Sequence, residues 1–128
     1  MTGPVNILLV DDHEENLLAL EAILTDPGLR LVRAQSGAEA LKAVLRQEFA
    51  VILMDVAMPG MDGLEATRRI RNLHLPQGRP WVVALTANAM QGDREICLAA
   101  GMDDYIRKPI KLSELASALR QARAIAAA

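Results

Sequence analysis

Polar residues that could do chemistry follow directly on the apolar runs of this sequence. They are Asp11 and Asp12, Asp55, Thr86 and Lys108. If the fold brings the three carboxylates together, they repel one another, and one keeps its proton unless a cation joins them. Carboxylate oxygens are ligands that Mg²⁺ or Mn²⁺ prefers, and no His or Cys is spaced with these acids to favour zinc. The set therefore predicts a phosphoryl site with its metal ion.

Asp55 is the candidate nucleophile of such a site. A carboxylate can attack phosphorus and form an acyl phosphate. Lys108 would place a compact ammonium charge on the phosphoryl oxygens and Thr86 would donate a hydroxyl, because phosphoryl transfer depends mostly on positioning and charge neutralisation. Taken singly, each residue has an ordinary alternative: a helix cap for the Asp11–Asp12 pair, a strand end for the threonine, a solvated loop for the lysine. Only their joint placement favours a site.

The elements that must position these residues alternate along the chain. Apolar or β-branched runs predict strands over residues 5–10, 29–34, 51–54, 81–85 and 104–107. Helical spacing predicts helices with apolar positions over residues 17–24, from a capping box at Ser36, from Asp62 to Leu73, through about Ala100, and over 112–122. Such alternation implies right-handed crossovers and a parallel sheet covered on both faces.

We therefore expect an α/β chain with a flavodoxin-like (βα)5 topology. This is a doubly wound three-layer sandwich with a parallel five-stranded sheet in the order 2-1-3-4-5. In that order the first and third strands are neighbours, and ligands bind outside the carboxyl ends of the strands. The polar residues of the four strand ends should then meet at one edge of the sheet.

Composition narrows the possible partners. The chain has 128 residues, 52% of them hydrophobic, which suits one domain over residues 1–128 with a core at about 5–122. A formal charge of −2 and only three aromatic residues argue against direct nucleic-acid binding. No export signal or bilayer-length apolar run is evident, so we expect a cytoplasmic domain without membrane contact.

Cys97 is expected to be a small helix residue. His13 and His74 are expected at the surface, since no second metal ligand is spaced for either.

Four sequence stretches resemble the receiver domain of two-component response regulators. They are Ile7-Leu8-Leu9-Val10-Asp11-Asp12, Met54-Asp55-Val56-Ala57-Met58-Pro59-Gly60-Met61-Asp62-Gly63, Ala84-Leu85-Thr86-Ala87 and Lys108-Pro109. Together with their spacing, these stretches are highly specific, and the resemblance covers essentially the whole chain. It implies a phosphoacceptor switch rather than an enzyme with a turnover cycle.

The resemblance also implies a role for each site residue. Asp55 would accept a phosphoryl group from a phosphohistidine on a histidine kinase or a histidine phosphotransfer domain. Asp12 would ligate Mg²⁺ directly, Asp11 would assist through water, and Ala57 would give its backbone carbonyl. Lys108 would pair with the phosphoryl group, and the peptide bond that follows it would be cis.

A conformational switch is implied as well. The hydroxyl of Thr86 would move onto the phosphoryl oxygens, and the ring of Tyr105 would turn inward behind it. The face formed by the fourth helix, fifth strand and fifth helix would carry the change to a partner, and a homodimer through that face is an expectation.

A finer resemblance is to receivers of hybrid sensor kinases and phosphorelays. It rests on Asp12-His13-Glu14-Glu15-Asn16-Leu17, Ala87-Asn88-Ala89-Met90 and Gly101-Met102-Asp103-Asp104-Tyr105. Such receivers exchange phosphoryl groups with a phosphotransfer domain that docks near the first helix. Ala57 departs from the family pattern, in which a longer side chain is frequent. We expect the lifetime of the phosphorylated state to depend on Ala57 and Asn88.

Three other functions fit parts of the pattern. A Mg²⁺-dependent phosphatase of the haloacid-dehalogenase type would carry a second acid two residues after its nucleophile, where this chain has Ala57. A flavodoxin-type electron carrier would need a phosphate loop after the first strand, where the acidic stretch at residues 11–15 would repel phosphate. A degenerate receiver that acts as a constitutive interaction module is disfavoured, since every core residue of the receiver pattern is present.

Overall fold

The five apolar runs pair as neighbouring strands of one parallel sheet. The computed structural model describes residues 5–76, 78–87 and 93–127, with side chains as far as residue 122. The strands are β1 (Val5–Val10), β2 (Leu29–Ala34), β3 (Val51–Asp55), β4 (Trp81–Thr86) and β5 (Asp104–Arg107). Their order is β2-β1-β3-β4-β5, which confirms the predicted topology. The strand β3 is buried throughout, as a central strand with helices on both faces should be.

Five helices connect and cover the strands. They are α1 (Glu14–Ile23), α2 (Gly37–Arg46), α3 (Gly63–Asn72), α4 (Asp93–Ala99) and α5 (Leu112–Ala127). The helix α1 begins three residues before its first apolar position, because its first turn is acidic and faces solvent. The fourth helix is described only from Asp93, and the sequence before it at residues 88–92, which includes Asn88, lies outside the described residues. No helix within the described ranges is long and apolar enough to cross a bilayer.

The starts of α2 and α3 are set by side-chain caps. Ser36 Oγ accepts a hydrogen bond from the backbone N–H of Glu39 at 3.1 Å, as the capping-box sequence predicts. Asp62 Oδ1 accepts one from the N–H of Glu65 at 2.9 Å. Each cap satisfies one of the backbone donors left open at a helix start. Both helices begin with a glycine, Gly37 and Gly63, directly after the cap.

Apolar side chains form a core on each face of the sheet. Under α2, α3 and α4 the core includes Val10, Met54 and Cys97, and the burial of Cys97 in α4 agrees with its expected role. Under α1 and α5 it includes Leu9, Leu53 and Leu115. Successive residues of a strand point to opposite faces, so both faces can be packed from the same apolar run. Each fully buried side chain of this size contributes about 1.5–3 kcal/mol.

The register of the sheet brings the strand ends level. Val10 is the Cα partner of Met54, Asp55 is the partner of Leu85, and Thr86 is the partner of Arg107. The last residue of each strand, or the residue directly after it, therefore lies at the same edge of the sheet. This edge is where the polar residues of the sequence were expected to meet.

Hydrogen bonds of a half-buried arginine hold the opposite edge together. Arg71, near the end of α3, donates hydrogen bonds to Gly101 O at 2.9 Å, Pro80 O at 2.7 Å and Asp103 Oδ2 at 2.7 Å. The same Asp103 oxygen accepts the N–H of Val82 at 2.9 Å. These bonds tie α3 to the chain entering β4 and β5, at the edge remote from the polar residues.

Candidate functional site

Lys108 joins two acids at the carboxyl edge of the sheet. Its Nζ lies 3.1 Å from Asp55 Oδ1 and 3.4 Å from Asp11 Oδ2. Both carboxylates are buried, Asp11 to 1% exposure, and Lys108 is 26% exposed. Because β1, β3 and β5 end level, three residues that lie far apart in sequence form one charge cluster. A single ammonium group cannot balance two buried carboxylates, so the cluster keeps an excess of negative charge.

Asp11 is fixed by the start of α1. Its Oδ1 accepts the backbone N–H of His13 at 2.9 Å and the Asn16 side-chain amide at 3.2 Å. The second oxygen of the carboxylate is thereby left to face Lys108. Asn16 was missed as a site residue in the sequence, although an amide four residues after the acid pair, in the first helical turn, was a usable signal.

The environment of Asp55 opposes its ionised form. Burial is the main cause that raises the pKa of this carboxyl, and the negative charge of Asp11 raises it further. Lys108 and the backbone N–H of Ala57 act against the rise by stabilising the carboxylate. A cation placed against these acids would favour ionised, nucleophilic Asp55 in the same way.

Gly63 brings the start of α3 against the backbone of Asp55. The Gly63 N–H donates to Val56 O at 3.0 Å. A Cβ at position 63 would lie 2.2 Å from Asp55 O and 2.9 Å from Val56 Cα. Only a glycine allows this approach, since real Cβ contacts essentially never fall below 3.0 Å. The sequence showed an Asp-Gly helix start here but gave no sign that the glycine touches the candidate acceptor.

Asp12 carries a carboxylate oxygen that is available to bind a ligand. Its Oδ1 is buried and accepts no hydrogen bond from the described residues, while buried carboxylate oxygens are normally paired. The imidazole Nδ1 of His13 lies 3.2 Å away. Ligand atoms of Asp11, Asp12 and His13 all lie within 4.8 Å of one another, close enough to hold one metal ion. The fold thus places two carboxylates beside His13, for which the sequence indicated no second ligand, and the expected exposed position of His13 is confirmed.

Thr86 and Tyr105 occupy neighbouring strands near the cluster. Thr86 is buried at the end of β4, and its carbonyl accepts the Lys108 backbone N–H at 2.7 Å. Tyr105 pairs with Ala84 in β5 and packs, half-buried, against the core under α2, α3 and α4. Ala57 is exposed in the loop after β3. The Lys108–Pro109 peptide bond is cis, as the resemblance implied.

The sequence as a whole matches one protein family. The family model of the response regulator receiver domain matches residues 7–120. Among curated proteins, the sensor protein GacS of Pseudomonas syringae pv. syringae is 43% identical over 112 residues. That match covers 86% of this chain but only 12% of GacS, so the chain corresponds to a small part of that relative.

Solved structures show the same similarity. The receiver domain of the sensor histidine kinase PA1611 from Pseudomonas aeruginosa PAO1 superposes with a TM-score of 0.82 and 44% identity, covering 93% of this chain and 97% of that one. Its active-site cleft coordinates a magnesium ion. A co-crystal structure from Saccharomyces cerevisiae joins the histidine phosphotransfer protein Ypd1 to the receiver domain of Ssk1. It matches with a TM-score of 0.80 and 30% identity over 91% of this chain and 86% of that chain.

Proposed function

The chain belongs to the response regulator receiver domains of two-component systems, and from this we propose that Asp55 is its phosphoryl acceptor. The observation that carries the proposal is the contact of the Lys108 ammonium with buried Asp55 at 3.1 Å, with Asp11 on the same ammonium at 3.4 Å. This arrangement offers a nucleophile, a fixed positive charge and a second acid within one cluster. Phosphoryl transfer requires little more from a protein.

We propose a transfer that begins at a phosphohistidine of a partner. An Asp55 carboxylate oxygen attacks phosphorus, the P–N bond to the partner imidazole breaks, and that nitrogen keeps the bonding electron pair. The product on this chain is an acyl phosphate at Asp55. Lys108 pairs with the phosphoryl oxygens as charge develops on them, and the Ala57 N–H orients the carboxylate.

We propose that Asp11, Asp12, Asp55 and the backbone carbonyl of Ala57 hold Mg²⁺, or Mn²⁺ in its place. The buried and unpaired Oδ1 of Asp12 supports this, as do hard oxygen donors throughout the set. A bound Mg²⁺ neutralises charge on the acids and on the phosphoryl oxygens. Asn16 holds Asp11 in place for this role through its side-chain amide.

The output is proposed to run through Thr86 and Tyr105. The Thr86 hydroxyl would turn to the phosphoryl oxygens and the Tyr105 ring would follow inward, changing the face of α4, β5 and α5. Homodimerisation or partner docking through that face is a prediction. A cytoplasmic location, the lack of membrane and nucleic-acid contact, and a single domain over residues 1–128 are predictions as well. We propose that the phosphorylated state itself is the signal.

A histidine kinase or histidine phosphotransfer domain is the proposed donor. Receivers pair with such partners, as Ssk1 does with Ypd1. The resemblance to receivers of hybrid sensor kinases supports a place in a phosphorelay. The relative GacS is a sensor protein several times longer than this chain, which agrees with such a place.

The test is transfer from a phosphohistidine donor in the presence of Mg²⁺. Intact mass should show one added phosphoryl group on wild type and on Asp62→Asn, because asparagine still caps α3. The Asp55→Asn variant should gain none. Equal labelling of Asp55→Asn and wild type would overturn the proposal.

A further inference from the structure

The His13 side chain lies beside Asp11 and Asp12 and does not cap the helix that follows it. His13 is the N-cap of α1, but its imidazole makes no capping hydrogen bond. That imidazole is 58% exposed, and its Nδ1 lies 3.2 Å from Asp12 Oδ1 and 3.6 Å from Asp11 Oδ1. The backbone of His13 is held by Asp11 through the bond to its N–H. The ring is consequently anchored on the outer side of the acids, with one nitrogen turned toward both.

We propose that His13 Nδ1 is a further ligand of the cation held by Asp11 and Asp12. The inference rests on the metal site proposed above and adds a nitrogen to its oxygen donors. Ligands at about 2.0–2.2 Å from one ion lie about 3 Å from their neighbours around it. The separation of 3.2 Å between Nδ1 and Asp12 Oδ1 matches such a neighbouring pair. Asp12 Oδ1 also has no hydrogen-bond donor among the described residues, which leaves it open to the same ion.

A nitrogen ligand changes which cation the site prefers. Mg²⁺ takes oxygen ligands and keeps several waters, so a water replaces a lost imidazole at little cost. Co²⁺, Ni²⁺ and Zn²⁺ gain from imidazole, and their affinity at mixed sites exceeds that of Mn²⁺. The site should therefore bind Co²⁺ more tightly relative to Mg²⁺ than the carboxylates alone would allow.

The other explanation of the geometry is an ion pair between protonated His13 and Asp12. In that case the imidazole competes with a cation, and its removal strengthens the binding of both metals. The two explanations predict opposite changes for Co²⁺, so one measurement separates them.

The experiment titrates wild type, His13→Ala and His74→Asn with Co²⁺ and with Mg²⁺ by calorimetry, all at the same neutral pH. His74→Asn is the matched control. It removes the second histidine of the chain, which lines a separate cavity with Arg71 and Gly101, and asparagine tolerates the positive φ found there. The ratio of Co²⁺ affinity to Mg²⁺ affinity should fall on the order of 10-fold in His13→Ala. Loss of a residue that only hydrogen-bonds to a metal ligand already lowers metal affinity by about 10-fold or more. It should stay at the wild-type value in His74→Asn.

A second measurement detects the bond between the His13 nitrogen and the metal ion. The electron spin echo of bound Mn²⁺ should show nitrogen coupling in wild type and in His74→Asn, and none in His13→Ala. An unchanged affinity ratio in His13→Ala, or wild-type protein without nitrogen coupling, would overturn the proposal. Phosphorylation of wild type with Mg²⁺ is measured separately. Its failure would count against Asp55 as acceptor, whereas the cobalt ratio bears on His13 alone.

Discussion

Replacing Gly63 by alanine should displace the backbone of Asp55, the proposed phosphoryl acceptor. The added Cβ would lie 2.2 Å from Asp55 O, which is 0.8 Å short of the 3.0 Å that such contacts respect. The atoms it meets are backbone atoms of Asp55 and Val56, and these cannot rotate away as a side-chain tip can. The loop after β3 must therefore move by nearly an ångström, and the acceptor residue must move with it.

Two effects of this movement can be given a size. Overpacking of a well-filled site costs about 1–3 kcal/mol, against which alanine regains at most about 1 kcal/mol in helix propensity. We expect a net loss of about 1–2 kcal/mol in the free energy of unfolding. A misplacement of about 1 Å at a reacting group can lower a rate by roughly 100-fold. The phosphorylation rate should therefore fall by a larger factor than the fraction of folded protein does.

Gly37→Ala is the matched control. Gly37 also begins a helix directly after a side-chain cap and is also buried. A Cβ there would meet Met61 Sδ at 2.8 Å, and this flexible side chain can shift. We expect this variant to stay within about 1 kcal/mol of wild type and to keep its phosphorylation rate.

The assay combines urea unfolding with the initial rate of labelling by a small phosphodonor and Mg²⁺. Both variants are measured at a temperature where each is fully folded. If Gly63→Ala were as stable as Gly37→Ala and accepted phosphoryl groups at the wild-type rate, the close approach of α3 to Asp55 would have no functional meaning.

Three other contacts lead to predictions of their own. In metal-free protein, Asp55→Asn should raise the free energy of unfolding at neutral pH, because burial raises the pKa of this carboxyl above its unfolded value and its ionised form opposes folding. As pH falls through the raised pKa toward the unfolded value, this gain should shrink by about 1.4 kcal/mol for each pH unit; urea titrations that show a gain independent of pH would contradict it. Arg71→Met should lose about 2–3 kcal/mol in the same assay, because it breaks a largely buried ion pair and leaves Asp103 paired with Arg79 alone. Arg79→Met should lose about 0–1 kcal/mol, because the Arg79 side chain is 56% exposed. Equal losses would refute this ranking. Ala57→Gln should change the half-life of the phosphorylated state, because Ala57 is exposed beside the acceptor and a longer side chain there alters the access of water; its decay is followed by mass, and a wild-type half-life would sink the idea.

The sheet and its order could be predicted because they depend on local patterns. Short apolar runs that alternate with helical spacing leave few packings for a chain of this length. The meeting of Asp11, Asp55 and Lys108 followed from the same reasoning, since parallel strands share one carboxyl edge.

Contacts between side chains and distant backbone could not be predicted in this way. The hydrogen bonds of Arg71 reach residues up to 32 positions away, and nothing around Arg71 in the sequence indicates them. The approach of Gly63 to Asp55 depends on the angle at which α3 leaves its loop. The orientation of the His13 ring depends on α1 using Asp11, rather than the histidine, to hold its first turn.

The identity of the modified residue is the most direct test of the account. Borohydride reduces the acyl phosphate of an aspartate to homoserine, which marks the modified position in a peptide mass spectrum. Protein phosphorylated with Mg²⁺ present should carry homoserine at position 55 and retain aspartate at positions 11, 12 and 62. Homoserine at any of those three positions, with aspartate intact at 55, would contradict the account.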